Sequence, residues 1–192
     1  MSKKQKISKQ QAKFYNNVTS TDNILTYNGQ VKVKYKIGDK EVIFKQHNEG
    51  LDGLFRFICK ALSGNIAGIT AEKPAFLDLI CIYDDITNIS NEVSCLYNEI
   101  SLSHPEYLYD QNIRSWITRF NITISYSMIN YDIINSHNNG KFYLYLKAAD
   151  GTNFARMSLT DANIDLAQLF PGMQLIVEWI MMITNTEENS GE

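Results

Sequence analysis

Three histidines, three cysteines, a pair of aspartates and one stranded glutamate are the residues of this 192-residue chain whose chemistry is worth testing first. His47, His104 and His137 lie among polar residues, and none stands at metal-ligand spacing from a cysteine or another histidine. They read as surface or turn histidines, and no metal is expected. Cys59, Cys81 and Cys95 are odd in number and contain no Cys-x-x-Cys pair, which fits reduced thiols better than a disulfide framework. Cys59 and Cys81 fall on apolar helix and strand faces and are expected to be buried and inert. A Cys/His nucleophile pair would have to meet in space, since nothing in the spacing singles one out.

Asp84-Asp85 follows an apolar run, where paired carboxylates can hold a cation or exchange protons, or simply turn the chain out of a sheet. No third acid stands at useful spacing, so the turn is expected. Glu178 interrupts the last apolar strand between Val177 and Trp179. It either pairs with a base such as Arg156 or Arg119 or points outward onto a wet face. Gly50-Leu51-Asp52-Gly53 precedes a helix but lacks the Gly-Lys-Ser/Thr ending of a phosphate loop. No catalytic residue, cofactor or enzyme activity is expected from these groups.

Cationic clusters are the stronger signal. Lys3, Lys4, Lys6, Lys9 and Lys13 precede the first acid, Asp22, and form a basic arm. Lys32, Lys34 and Lys36 alternate with Val31, Val33, Tyr35 and Ile37, so one strand presents an apolar face and a basic face. Both sets are candidate partner-binding residues. The strand set also fits an edge guarded by lysine against unwanted pairing. The net charge of −3 and the absence of interleaved aromatics on that face argue against nucleic acid as the partner.

Positioning these groups falls to a strand-rich body. With 44% hydrophobic residues, 11% aromatic and frequent β-branched side chains, the chain can bury a core on pleated surfaces. Gln30 to Gln46 reads as a hairpin turning at Gly38-Asp39 in the type II′ manner. Leu51, Leu54, Phe55, Ile58 and Leu62 recur at helical spacing over Glu49 to Leu62, and Gly64 supplies a left-handed cap. Phe76 to Tyr83 is apolar on both parities, a strand buried on both faces. Asp84 to Pro105 reads as irregular. Arg114 to Tyr126 alternates, with Trp116, Phe120, Ile122 and Ile124 on one side. Lys141 to Lys147 and Phe154 to Leu159 form a hairpin around Ala149 to Thr152, and Met173 to Thr184 is the last long strand.

The expected fold is mainly β, an antiparallel, jelly-roll-like β-sandwich of seven or eight strands with one helix inserted after the first hairpin. The expected organisation is a basic flexible arm at 1–22, the sandwich at 23–185 and an acidic tail at 186–192. No apolar run reaches the roughly 18 residues of a membrane span, and no apolar stretch follows the basic start as a secretory signal would require. Neither membrane nor secretion is expected.

Three stretches carry a resemblance. They are His47-Asn48-Glu49-Gly50 with Leu54-Phe55 and Ala61-Leu62-Ser63-Gly64; Lys73-Pro74-Ala75-Phe76-Leu77-Asp78-Leu79; and Ala155-Arg156-Met157-Ser158-Leu159 with Phe170-Pro171-Gly172 through Trp179. Their order resembles small virion structural proteins of tailed phages, including the crAss-like phages of gut Bacteroidales. Asp84-Asp85-Ile86-Thr87 stands where such proteins carry a Gly-Thr-Gly-like turn. The resemblance implies an auxiliary capsid, collar or tail-ring protein, present as copies of itself. Its implied partners are major capsid, portal or tail subunits, with assembly in the host bacterial cytoplasm. The alternative is a receptor- or glycan-binding module of a fibre, with Trp116, Tyr126, Tyr131 or Tyr143 on an exposed ledge.

Overall fold

The structure is a computed structural model that describes residues 13–16, 23–37, 40–64, 70–84, 90–103, 105–112, 115–169 and 171–187. Lys3, Lys4, Lys6, Lys9, the Gly38-Asp39 turn, Asp85 and His104 lie outside the described residues.

Two antiparallel sheets make a β-sandwich, as the alternation predicts. The first is built from β1 (Lys13–Asn16), β2 (Asn23–Ile37), β3 (Lys40–His47), β8 (Glu106–Asp110), β9 (Ser115–Ser125) and β12 (Gln174–Glu187). Its order is β1-β2-β12-β9-β8, with β3 also on β2. The second holds β4 (Glu49–Gly50), β5 (Pro74–Asp84), β6 (Ser90–Ser94), β7 (Ile100–Ser101), β10 (Lys141–Ala148) and β11 (Asn153–Ser158). Its order is β4-β11-β10-β5-β6, with β7 also on β5. The hairpins β2–β3, β5–β6, β8–β9 and β10–β11 each stay within one sheet.

The core lies between the sheets. Val31 and Val33 of β2, Val177 and Trp179 of β12 and Phe120, Ile122 and Ile124 of β9 face Leu77 and Leu79 of β5, Leu144 and Leu146 of β10 and Met157 of β11. Period-two burial thus follows from period-two sequence. β5 and β10 are buried on both faces, since Asp78, Ile80 and Tyr145 are covered as well. Among the described residues there are twelve strands where seven or eight were expected, because the stretch read as irregular holds β6 and β7, and β1, β4 and β8 lie where no strand was read.

The chain passes from β3 to β4, and so between sheets, through one residue, Asn48. Its N–H bonds the Gly29 carbonyl at 3.0 Å and its Oδ1 accepts from the Tyr27 hydroxyl at 2.8 Å. Helix α1 (Asp52–Leu62) follows. It starts later than its apolar spacing suggests because Glu49 and Gly50 pair with Arg156 and Ala155. Gly64 takes φ +75° beyond its end, the predicted cap. Leu54 is buried, but Leu62, placed on the same stripe, is 70% exposed because the helix runs off the sheet. A short second helix, α2 (Tyr131–Ser136), is capped by the Asn130 side chain.

β12 extends past its β9 partner. Thr184 is the last residue opposite β9, at Ser115, whereas Thr184–Glu187 continue against Asn23–Thr26 of β2. The same four β2 residues pair with β1 on their other side. A three-stranded ribbon therefore runs beyond the end of β9. It takes in Lys13–Asn16, which fall inside the expected arm, and carries the last strand to Glu187, past the expected boundary at 185.

Candidate functional site

The end of the sandwich where β2 and β12 approach the ribbon does not close. A cleft of about 1070 Å³ opens there between the two sheets, α1 and the segment from β7 to β8. Helix α1 contributes Leu54, Phe57 and Ile58, one face at helical spacing. The first sheet contributes Phe120, Met181 and Ile183, and the second Phe76 and Phe154. Phe57 meets Phe154 edge-on at 5.7 Å, which anchors the helix to β11.

An aromatic group marks the mouth. Tyr107 stacks on Trp116 at 5.3 Å with an 11° interplanar angle, and Tyr109 tilts against the same indole at 4.7 Å. All three are exposed, at 69%, 48% and 43%. Trp116 does share a strand face with Phe120, Ile122 and Ile124, as its spacing requires. It is nevertheless exposed while they are buried. Of the four aromatics weighed for a ledge, Trp116 alone stands exposed. Tyr126 and Tyr131 stack on each other at 4.4 Å, and Tyr143 lies under the Arg156 guanidinium at 5.1 Å. Sequence reading passed over Tyr107 and Tyr109, although Glu106-Tyr107-Leu108-Tyr109-Asp110 alternates.

Lys73 also lines the cleft and is exposed. It has no ion-pair partner among the described residues, and no acid is among the described residues that line the cleft. Its neighbours differ. Arg56 and Lys60 both bridge to the buried carboxylate of Glu72, and Arg56 reaches Asp150 at 3.3 Å.

The lysine strand is less free than its sequence suggests. Lys32 pairs with Glu178 at 3.6 Å, and Lys34 pairs with Glu41. Glu178 points outward and is also held by Arg119 at 3.1 Å, which in turn reaches Glu106 at 3.4 Å. Glu106, Arg119, Glu178 and Lys32 thus alternate in sign across β8, β9, β12 and β2. Both readings of Glu178 meet here, an outward face and a basic partner. Lys36 lies opposite Glu41 in register, and Lys13 opens β1.

A smaller polar recess of about 330 Å³ lies beside His47, Glu49, Arg156 and Asp161. Two stretches of the phage resemblance meet in it. Arg156 donates to Glu49 at 2.9 Å and to the Tyr145 hydroxyl at 3.2 Å. Burial opposes its charge, but these bonds outweigh burial and hold the guanidinium firmly protonated. Two of its donors are thereby committed to its own fold. His47 bonds Asn28 at 3.2 Å, and His137 lies against Tyr83 at 4.0 Å. Among the described residues, no three His, Cys, Asp or Glu side chains converge to hold a metal.

The thiols part company. Cys81 and Cys95 are buried, but Cys59 is exposed, because its helix face turns to solvent. Burial, with the Cys81 thiol nearby, pushes Cys95 up to about 12. In native protein a thiol reagent such as DTNB should therefore react quickly with one cysteine, Cys59, and with all three only after unfolding. Fast reaction of two or three in native protein would contradict this placement.

No known protein family matches the chain, and no curated protein or solved structure matches it either.

Proposed function

We propose that this chain is a non-enzymatic structural subunit of a tailed-bacteriophage virion, an auxiliary capsid protein or a head-to-tail collar or ring protein, assembled in the host bacterial cytoplasm. The observation that carries the reading is the three-stranded ribbon, built from Lys13–Asn16, Asn23–Thr26 and Thr184–Glu187. A narrow ribbon gains stability when its faces are packed, and a neighbouring capsid, portal or tail subunit supplies that packing. The basic residues Lys3, Lys4, Lys6 and Lys9 precede it in sequence, and Lys13 is its first residue. Lys32, Lys34 and Lys36 stand further along β2, alternating with its apolar residues.

Deleting residues 1–20 removes β1 and the lysines that precede it, but no strand of the sandwich core. The truncated protein should keep its circular dichroism and melting temperature yet lose co-sedimentation with particles that the full chain decorates. Normal attachment of the folded truncation would sink the reading.

The Tyr107–Trp116–Tyr109 ledge favours a second reading, a receptor- or glycan-binding module of a tail or head fibre, since exposed aromatic faces stack on sugar rings. A glycan array separates the two: a hit lost in Trp116→Ala supports the module, and no hit leaves the assembly reading.

A further inference from the structure

The cleft at the open end has three layers of different chemistry. Its depth is hydrocarbon, from Phe57, Ile58, Phe154 and Met181. Its mouth is the Tyr107–Trp116 stack, rings that favour the boundary between apolar and wet surroundings. Its rim carries Lys73, a cation unpaired among the described residues, and the hydroxyl-bearing Ser101 and Ser103.

We propose that this cleft binds a single-chain anionic amphiphile, with the acyl chain among α1, β9 and β12 and the acidic head at Lys73. The layering selects this class over the others. A peptide laid into the depth would bury main-chain polar groups against side chains that cannot hydrogen-bond them. A sugar would bury hydroxyls with the same deficit. A hydrocarbon chain has no such groups, and its removal from water is the main driving force available there. The head then meets the one charged group that lines the cleft among the described residues, and that charge is positive. The proposal does not rest on the virion reading.

The test is a calorimetric titration of the full chain with dodecanoate, below its micelle concentration. Saturable binding at one site is expected, tightening about fourfold per added methylene from octanoate to dodecanoate. Dodecanol, equal in chain but uncharged, should bind about tenfold more weakly, and Lys73→Gln should abolish that difference. Two variants fill the cleft from different walls, Ile58→Trp on α1 and Thr118→Phe on β9. Each that keeps its native circular dichroism should lose at least tenfold in affinity.

No saturable dodecanoate binding overturns the proposal. So does binding that ignores both filling variants, or equal affinity for dodecanol and dodecanoate in the unmodified chain. Binding to phosphatidylglycerol vesicles without binding of soluble dodecanoate would assign the site to a membrane surface and equally overturn it. Preference for a neutral oligosaccharide would do the same in favour of the glycan reading.

Discussion

Replacing Asp78 with Ala should lower the unfolding free energy by about 4 kcal/mol, measured by urea titration. Asp78 is 1% exposed on the outer side of β5, under the segment that joins β6 to β7. Its carboxylate accepts from the Ser94 hydroxyl at 2.7 Å, from the Leu79 N–H at 2.8 Å and from Lys147 at 3.1 Å. Lys147 bridges on to Glu99 at 2.6 Å and so ties that segment to the sheet. Removing the carboxylate takes one acceptor from a half-buried ammonium and one from a part-buried hydroxyl. That penalty exceeds the net worth of the intact pair. Replacing both ends with hydrocarbon, Asp78→Leu with Lys147→Met, should therefore recover most of the loss.

The same pair sets a pH dependence. Burial opposes the Lys147 charge, but Glu99 and Asp78 outweigh it and raise the ammonium above its ordinary 10.5. A raised lysine contributes stability that is fully present below the unfolded value and lost as pH climbs through the folded one. The difference in stability between the unmodified chain and Lys147→Met should hold steady up to about pH 10 and shrink above it. A difference that shrinks on acidification alone would show that Lys147 is not the titrating group.

Gly29→Ala is the second large effect, with an expected loss of about 3 kcal/mol and about 10 °C in Tm. A Cβ at this position would stand 1.9 Å from Asn48 Oδ1 and 2.4 Å from its Cγ. Asn48 cannot simply swing aside. Its backbone is fixed to the Gly29 carbonyl and its Oδ1 to the buried Tyr27 hydroxyl, the group whose pKa burial raises well above that of a free phenol. The clash falls where the chain changes sheets, so relief there must move β3 against β4. The cycle with Asn48→Ala checks the cause. The double variant should be more stable than the sum of the single losses, because the second change empties the space the first one needs. Additive losses would show that the clash is not with Asn48.

The parts of the fold legible in sequence are those decided by local alternation. Val31, Val33 and Tyr35 on β2 and the continuous run of β5 announce their burial without any partner in view. Gly64 announces its turn in the same way. What the opposite layer decides could not be read. Trp116 has the periodicity of a core residue, and its exposure depends on the cleft opening in front of it. Cys59 and Leu62 fit the apolar stripe of α1, but that stripe outruns the surface it packs on. Glu178 looks stranded in one dimension. Its partners Arg119 and Lys32 come from strands about 60 and 145 residues away and meet it only through register. The cleft is illegible for the same reason, since its walls come from seven separate stretches. Tyr107 and Tyr109 are the exception, because the alternation around Leu108 was there to be read.

The position of β12 in the first sheet also orders events during synthesis. It is made after the other eleven described strands, yet it lies between β2 and β9 and hydrogen-bonds both. The second sheet is complete in sequence once β11 has left the ribosome, at Ser158. Until Gln174–Thr184 emerges, β2 and β9 each expose an edge on facing sides of a vacant slot. A nascent chain is therefore most open to wrong pairing between the emergence of β9 and that of β12, and a stop codon before β12 removes the seam of the sheet rather than a margin.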